Sequence, residues 1–214
     1  MERSTRERLL KAATDVFVER GYAAATVREI CRRASANVAA VNYHFGSKER
    51  LYAFMLEEHL EDAYGRYPLD KGLSENPTPE ERLSVFIHNF LRRVMAADTP
   101  QDVAYGKLIV KEIIDPSPAF DGIVQTYMKP IREEIDVVVR SFLGPEATSA
   151  HVQMCSSGTV GQILYWWQNR AILERVYPEL SFDDAGIERI AASINMFCLE
   201  AIRGIKARLA GGKA

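Results

Sequence analysis

The chain has few cysteines, no long apolar run and almost no net charge, and each scarcity removes a class of protein. Cys31, Cys155 and Cys198 are its only cysteines in 214 residues; they stand far apart, form no CxxC pair and are odd in number. That argues against a disulfide framework or a zinc module and fits a reducing compartment. No apolar stretch approaches the roughly 20 residues needed to span a bilayer, and the N-terminus is charged, unlike a secretory leader. The expectation is a soluble, cytoplasmic protein with no membrane partner. The sequence lacks a Glu-x-x-His pair, a glycine-rich phosphate loop and a nucleophile motif, which weighs against the rival reading of an enzyme on a helical bundle. No metal, cofactor or catalytic residue is expected. Strand-like alternation persists nowhere, and there is no internal repeat.

What is present is apolar material for a core, 47% of residues, and 26% charged residues, both ordinary for a globular protein. The net charge of −2 conceals an asymmetry. Residues 1–50 carry ten Lys/Arg against six Asp/Glu, or +4; residues 51–214 carry 17 against 23, or −6. A basic N-terminal module on an acidic body is the implied plan.

Almost every segment reads as helix. Leu9, Ala13, Val16 and Phe17 share one face of a helix over 5–20, which Gly21 should stop. Thr26-Val-Arg-Glu29 is a capping box opening a short helix to about Ala34, with Val27, Ile30, Cys31 and Ala34 inward. Asn37 is a good N-cap for a third helix, Val38 to His44. Gly46 breaks it, and Ser47 caps a fourth helix to about Tyr64. After the loose stretch KGLSENPTP, helices are expected over 79–97, 101–114, 119–142, 146–175 and 183–209, about nine in all. Pro130 should kink or split the 119–142 segment, and Gly158 and Gly161 are candidate breaks in the 146–175 segment. Only the Ala-Gly-Gly-Lys-Ala tail looks disordered. The division expected is a helix-turn-helix domain over 1–50, a linking helix 48–64, and a helical body over 51–214.

Within this plan the stretch VNYHFGSKE, residues 41–49, acquires a physical meaning. Two short helices joined by a three-residue turn, with a helix in front, make a helix-turn-helix whose second helix enters the major groove. Asn42 and Tyr43 then sit on the exposed end of that helix, and His44 approaches a phosphate. Ser47 and Lys48 open the next helix, whose free N–H groups favour an anion. Phe45 is core. A catalytic His44 lacks a nucleophile or orienting acid at a known spacing, and a metal-bound one lacks further ligands.

The run Thr26 to Leu51, TVREICRRASANVAAVNYHFGSKERL, resembles the DNA-binding signature of TetR/AcrR-type transcriptional regulators. NVAAVNYHFGSKE and the later Gly161-Gln-Ile-Leu-Tyr-Trp further resemble the CecR-like branch. The chain departs from the family at the turn, where Gly-Val is replaced by Ser35-Ala36. Ser35 is thereby asked to adopt a conformation that glycine accepts more readily, and losing the valine thins the packing under the recognition helix. The resemblance implies that Thr26, Tyr43, His44 and Lys48 contact phosphates, that Arg28 reaches a guanine edge, and that Asn37, Val38, Ala39 and Asn42 line the groove. It implies a repressor that binds a pseudo-palindromic double-stranded DNA operator as a homodimer and leaves it when a small apolar or aromatic effector enters the body. An activator, or a regulator held by a protein partner in place of a small molecule, is the alternative within the same class.

For the body, the expected dimer seam is formed by the last two helices, on the final one through Ile187, Ile190, Ile194, Phe197, Ala201 and Ile205, with Ala191 and Gly204 allowing close approach. An effector pocket is expected among the aromatic and polar residues Tyr105, Tyr127, His151, Met154, Gln162 and Trp166, with Phe120, Tyr165, Trp167 and His88 nearby. The adjacent Trp166 and Trp167 cannot share a helix face, so one belongs to core or pocket and the other to interface or surface.

Overall fold

The computed structural model describes residues 4–95 and 99–211. The expected end of the fifth helix at Ala97 and residues 212–214 of the tail lie outside the described residues. In chain order the helices are α1 (Thr5–Ala24), α2 (Val27–Arg33), α3 (Val38–Phe45), α4 (Lys48–Arg66), α5 (Pro79–Met95) and α6 (Pro100–Ile114). Then follow α7 (Phe120–Ile123), a π-helical turn (Val124–Met128), α8 (Lys129–Leu143), α9 (Ser149–Gln168), α10 (Arg170–Val176) and α11 (Asp184–Ala210). The described residues contain no strand, as the all-α pattern predicted. None of their helices is long and apolar enough to cross a membrane.

Contacts divide the chain into two compact units: residues 4–63 with 99–128, and 64–95 with 129–211. The grouping does not follow chain order, because α6, α7 and the π turn pack with the N-terminal helices.

In the first unit, Ser4 and Glu7 form a reciprocal capping box that starts α1. Leu9, Ala12, Ala13, Val16 and Phe17 form its buried stripe. Gly21 takes the left-handed φ of +74° expected of a helix stop, and a short continuation to Ala24 follows it. Ile30 and Cys31 of α2, and Val41 and Phe45 of α3, complete the core with Leu51, Tyr52 and Met55 of α4. Each such fully buried large side chain contributes about 1.5–3 kcal/mol. Polar fastenings hold α6: the hydroxyls of Thr14 and Tyr105 are 3.2 Å apart, and the Tyr52 hydroxyl donates to Glu112 Oε1 at 2.8 Å. Glu112, 2% exposed, also accepts from the Ser117 N–H and hydroxyl, so its burial is matched by three donors.

In the second unit, α5, α8, α9 and α11 enclose one core built from residues such as Phe86, Ile87, Leu91, Ile135, Val139, Val152, Ile163, Ile190 and Ile194. The buried Asn89 ties the loop before α5 by donating to the Leu69 and Lys71 carbonyls. Arg92 bridges from α5 to Asp184 (2.7 Å) and Glu188 (2.9 Å) on α11, and His88 meets the same glutamate at 2.8 Å.

Among the described residues, eleven α-helical elements stand where about nine were expected, because two long segments are each divided into two elements. The 119–142 segment stays helical throughout but widens into the π turn immediately before Pro130, the second residue of α8, where proline cannot donate to the ladder. The 146–175 segment does not break at Gly158 or Gly161, which sit inside α9. It breaks at Asn169, whose side-chain amide donates to the Tyr165 carbonyl at 3.0 Å. In the tail, Ala210 ends α11 and Gly211 caps it.

The turn between α2 and α3 is a Schellman closure: the Ala36 N–H bonds the Cys31 carbonyl at 2.9 Å and the Ser35 N–H bonds the Arg32 carbonyl at 3.3 Å. Its pivot is Ser35 at φ 50°, the one non-glycine residue with positive φ among those described. A left-handed conformation penalises a residue with a Cβ by about 1–2 kcal/mol, partly offset by the greater chain entropy glycine loses on folding. Ser35→Gly is therefore expected to stabilise the protein by about 0.5–1 kcal/mol, read as a higher chemical-denaturation midpoint at unchanged slope. A lower midpoint would contradict this account of the turn.

Candidate nucleic-acid interface

The recognition helix is built by a division of its own surface. Val41 and Phe45 turn into the core of the first unit, the Phe45 ring 5.8 Å from that of Phe54 on α4, which leaves the opposite face of α3 to solvent. That face presents Val38, Ala39, Asn42 and Tyr43, with Asn37 exposed at its head. Tyr43 is 85% exposed, which for so large a ring is a considerable unburied apolar area. His44 is half-buried, its ring packed edge-on to Tyr43 at 4.9 Å. Asn37 acts first as a cap: its Oδ1 accepts the Ala39 N–H at 2.9 Å. Gly46, at φ +82°, ends the helix with its N–H on the Val41 and Asn42 carbonyls, and Ser47 caps α4 by accepting the Arg50 N–H at 3.1 Å.

Thr26 accepts the Glu29 N–H at 3.2 Å, which is half of the expected capping box. The return bond is replaced. Glu29 is taken by Arg32 (2.8 Å) and Arg33 (2.9 Å), with Arg20 at 3.8 Å, and Arg33 also reaches Glu19 at 2.6 Å. The hydrogen bonds from Arg32 and Arg33 hold the Glu29 carboxyl down at about 2. Three of the N-terminal arginines are thus spent on two glutamates. Arg6 lies over the Phe54 and Phe45 rings at 4.4 and 5.5 Å.

The cations left over define the electropositive part of the surface. Arg28 is exposed on α2 and has no ion pair or hydrogen-bond partner for its guanidinium among the described residues. Arg50 is in the same condition at the start of α4, beside Gly46; charge counting included it, but the motif did not single it out. Lys48 is half-buried: its Nζ donates to the Ala23 carbonyl at 3.4 Å and lies 4.4 Å from the Tyr22 ring. Burial pulls its ammonium below the ordinary lysine value. It fastens the start of α4 to the end of α1, and no carboxylate among the described residues is in ion-pair contact with it.

The pocket residues named from sequence fall in both compact units. Tyr105 and Tyr127 are buried in the first unit, Tyr105 stacked on His59 at 4.2 Å and Tyr127 donating to Glu61 at 3.4 Å. His151, Met154, Gln162 and Trp166 all belong to α9 in the second unit. There Met154 is exposed, and His151 Nδ1 accepts the Thr148 N–H in the cap of the helix. Trp166 and Trp167 are both half-buried against the second unit's core, so neither is the wholly outward member of the pair. The six seam residues separate as well. Ile187, Ile190 and Ile194 are buried in their own subunit's core, Ile205 is half-buried, and Phe197 (61% exposed) and Ala201 face solvent. A broad apolar stripe on α11 thus serves mainly the subunit itself. All three cysteines are buried and free, and burial pushes each thiol above its ordinary value.

With this geometry in view, the comparisons with known proteins are consistent in kind. Residues 9–54 match the family described as "Bacterial regulatory proteins, tetR family", and residues 79–202 match "HTH-type transcriptional dual regulator CecR, C-terminal domain". The chain is 24% identical to the HTH-type transcriptional dual regulator CecR of Shigella flexneri over 219 residues, covering 95% of this chain and 93% of that one. It is 34% identical over 88 residues to the HTH-type transcriptional repressor KstR2 of Mycolicibacterium smegmatis, which is 41% of this chain and 42% of the relative. Among solved structures, the TetR family transcriptional regulator PfmR of Thermus thermophilus superposes with a TM-score of 0.61 at 18% identity, over 92% of this chain and 97% of that one. A TetR-like regulator of Rhodococcus sp. RHA1 gives 0.59 at 22% identity, over 95% and 99%. At those identities the structural likeness speaks to the fold alone.

The arginine clamp on Glu29 makes a pH prediction. A carboxyl depressed in the folded state contributes stability that is complete above its ordinary value of 4.5 and is lost as pH falls through about 2. Glu29→Gln is expected to lower the thermal midpoint at neutral pH, and the gap from wild type should close between those two values. A gap that stays constant across that range would show that the charge on Glu29 is not what holds α2.

Proposed function

Because this chain belongs to the TetR family of bacterial regulatory proteins, with a CecR-type C-terminal domain, we propose that it is a homodimeric transcriptional repressor that leaves its operator when a small molecule binds the body. The observation that carries this reading is the outward face of α3, with Tyr43 85% exposed, flanked in sequence by the unpaired cations Arg28 and Arg50. An exposed face of Asn42, Tyr43, Val38 and Ala39 offers hydrogen bonds and methyl contacts to base edges. Thr26, His44, Lys48 and the N-terminus of α4 supply phosphate contacts, which set register without reading sequence. Few polar groups are available for base reading, so DNA shape and bridging water carry part of the discrimination.

One recognition helix reads only a few base pairs, and two meet successive grooves about 34–36 Å apart when the protein dimerises. The seam assigned here is the outward side of α9 and α11: Phe197, Ala201 and Gly204 on one, Met154, Gly161 and Tyr165 on the other. A Cβ added at Gly161 or Gly204 meets nothing within 4 Å, so both positions leave room for a close neighbour. Helix α4 runs unbroken from Lys48 to Arg66 and its last turn belongs to the second unit, which makes it the connection through which a body rearrangement reaches the DNA unit. A ligand works this way only by differing in affinity for the two arrangements. A second reading, activation as well as repression, is favoured by the full-length relative's name as a dual regulator.

Fluorescence anisotropy on fragments of the protein's own upstream DNA tests the interface. Arg28→Ala should weaken selective binding by about 1–3 kcal/mol with little change in salt dependence. Lys48→Ala should weaken binding to all sequences and lower the salt slope by about 1. Wild-type affinity in both variants would remove the assigned face. For the seam, Phe197→Glu should move the sedimenting species from dimer to monomer; a dimer that persists would place the interface elsewhere.

A further inference from the structure

The second unit contains a cleft of about 400 Å³ between the loop after α4, α5 and the first turns of α8. Leu69, Ile131 and two prolines form its apolar side, and Tyr64, Asp70, Arg93 and Glu134 its polar side. The volume falls within the ~300–1,000 Å³ typical of small-molecule sites.

Its polar groups are not matched to one another. Arg93 is only 8% exposed. Its Nε and Nη2 donate to the Tyr67 carbonyl at 3.0 and 2.7 Å, its guanidinium lies 3.8 Å from the Tyr64 ring centre, and its Nη1 has no hydrogen-bond partner. No carboxylate among the described residues is in ion-pair contact with it. A buried guanidinium held by a carbonyl and a tyrosine, with no carboxylate in ion-pair contact among the described residues, lacks the counter-charge that buried cations ordinarily have. Glu134, half-buried on α8, accepts no hydrogen bond from any described residue. Burial and then the charge of Asp70 push its carboxyl up, with Arg93 pulling the other way. Two opposite charges therefore line one cleft, feel each other and do not pair.

We propose that this cleft binds a small zwitterion of the amino-acid type: its carboxylate on the Arg93 guanidinium, its ammonium between Glu134 and Asp70, and its apolar side group against Leu69 and Ile131. A plain anion would meet the Asp70–Glu134 pair and a plain cation would meet Arg93, so only a molecule carrying both charges completes the site. The assignment rests on the ligand-responsive reading above and names the chemical class of its effector.

Calorimetry on the full-length protein without DNA tests it, with L-leucine and L-phenylalanine as probes beside two single-charge analogues of leucine, 3-methylbutylamine and 4-methylpentanoate. The zwitterions should bind, and each analogue should bind roughly tenfold or more weakly, as expected for a lost charge-assisted hydrogen bond. Glu134→Gln should weaken zwitterion binding by a similar factor while leaving 4-methylpentanoate binding undiminished or, with one like charge removed, tighter. Arg93→Met should do the converse, and because Arg93 also anchors Tyr67 and can unfold when replaced, Glu134→Gln decides the matter. Absence of zwitterion binding, equal binding of the analogues, or wild-type affinity in Glu134→Gln overturns the assignment. If the zwitterions bind and operator affinity does not change, the cleft stands and the release reading fails; if another molecule releases operator while the zwitterions do not bind, only the cleft assignment falls.

Discussion

The direction of α3 depends on the turn pivoted at Ser35, held at φ 50° by two backbone hydrogen bonds to the end of α2. With that turn closed, Val41 and Phe45 are buried in the first unit's core, and the periodicity of the helix sends Asn42 and Tyr43 outward. Every other feature of the nucleic-acid face follows from that orientation. The strain of a serine in a glycine's conformation is supported by the core beneath it, where Ile30 and Val41 are completely buried.

Electrostatics refines the surface. The +4 of the first 50 residues reads in sequence as a uniformly basic module, yet Arg32, Arg33 and Arg20 converge on Glu29 and Glu19 and stiffen α1 against α2. Of the described cations flanking α3, those free of a carboxylate partner are Arg28 on α2, and Lys48 and Arg50 at the start of α4. The same inspection of pairing in the second unit isolates Arg93 and Glu134, a cation and a carboxyl that share a cleft without meeting.

Local chemistry was legible in the sequence, and long-range juxtaposition was not. Thr26, Asn37, Gly46 and Ser47 act within five residues of themselves, so their caps and stops could be read directly. Ser35 could be anticipated because the Schellman turn demands one particular backbone conformation. Gly158 and Gly161 misled, since an exposed helix tolerates a glycine at a modest penalty, whereas Asn169 could bond back to Tyr165 and end α9. Aromatic richness suggested a pocket from Tyr105 to Trp166; side-chain type does not say which compact unit a residue joins, and Tyr105 and Tyr127 join the first while the α9 residues join the second. The width of α11's apolar face likewise left open which stripe turns inward; the core takes Ile187, Ile190 and Ile194 and leaves Phe197 and Ala201 outside.

The central claim is that two copies of the α3 face read one operator together. A hydroxyl-radical footprint on the protein's upstream DNA tests it most directly. The account predicts two equivalent protected patches, related by two-fold symmetry and one helical turn or a whole multiple of it apart, about 34–36 Å per turn. A single patch without symmetry, or uniform protection that vanishes with moderate salt, would contradict it.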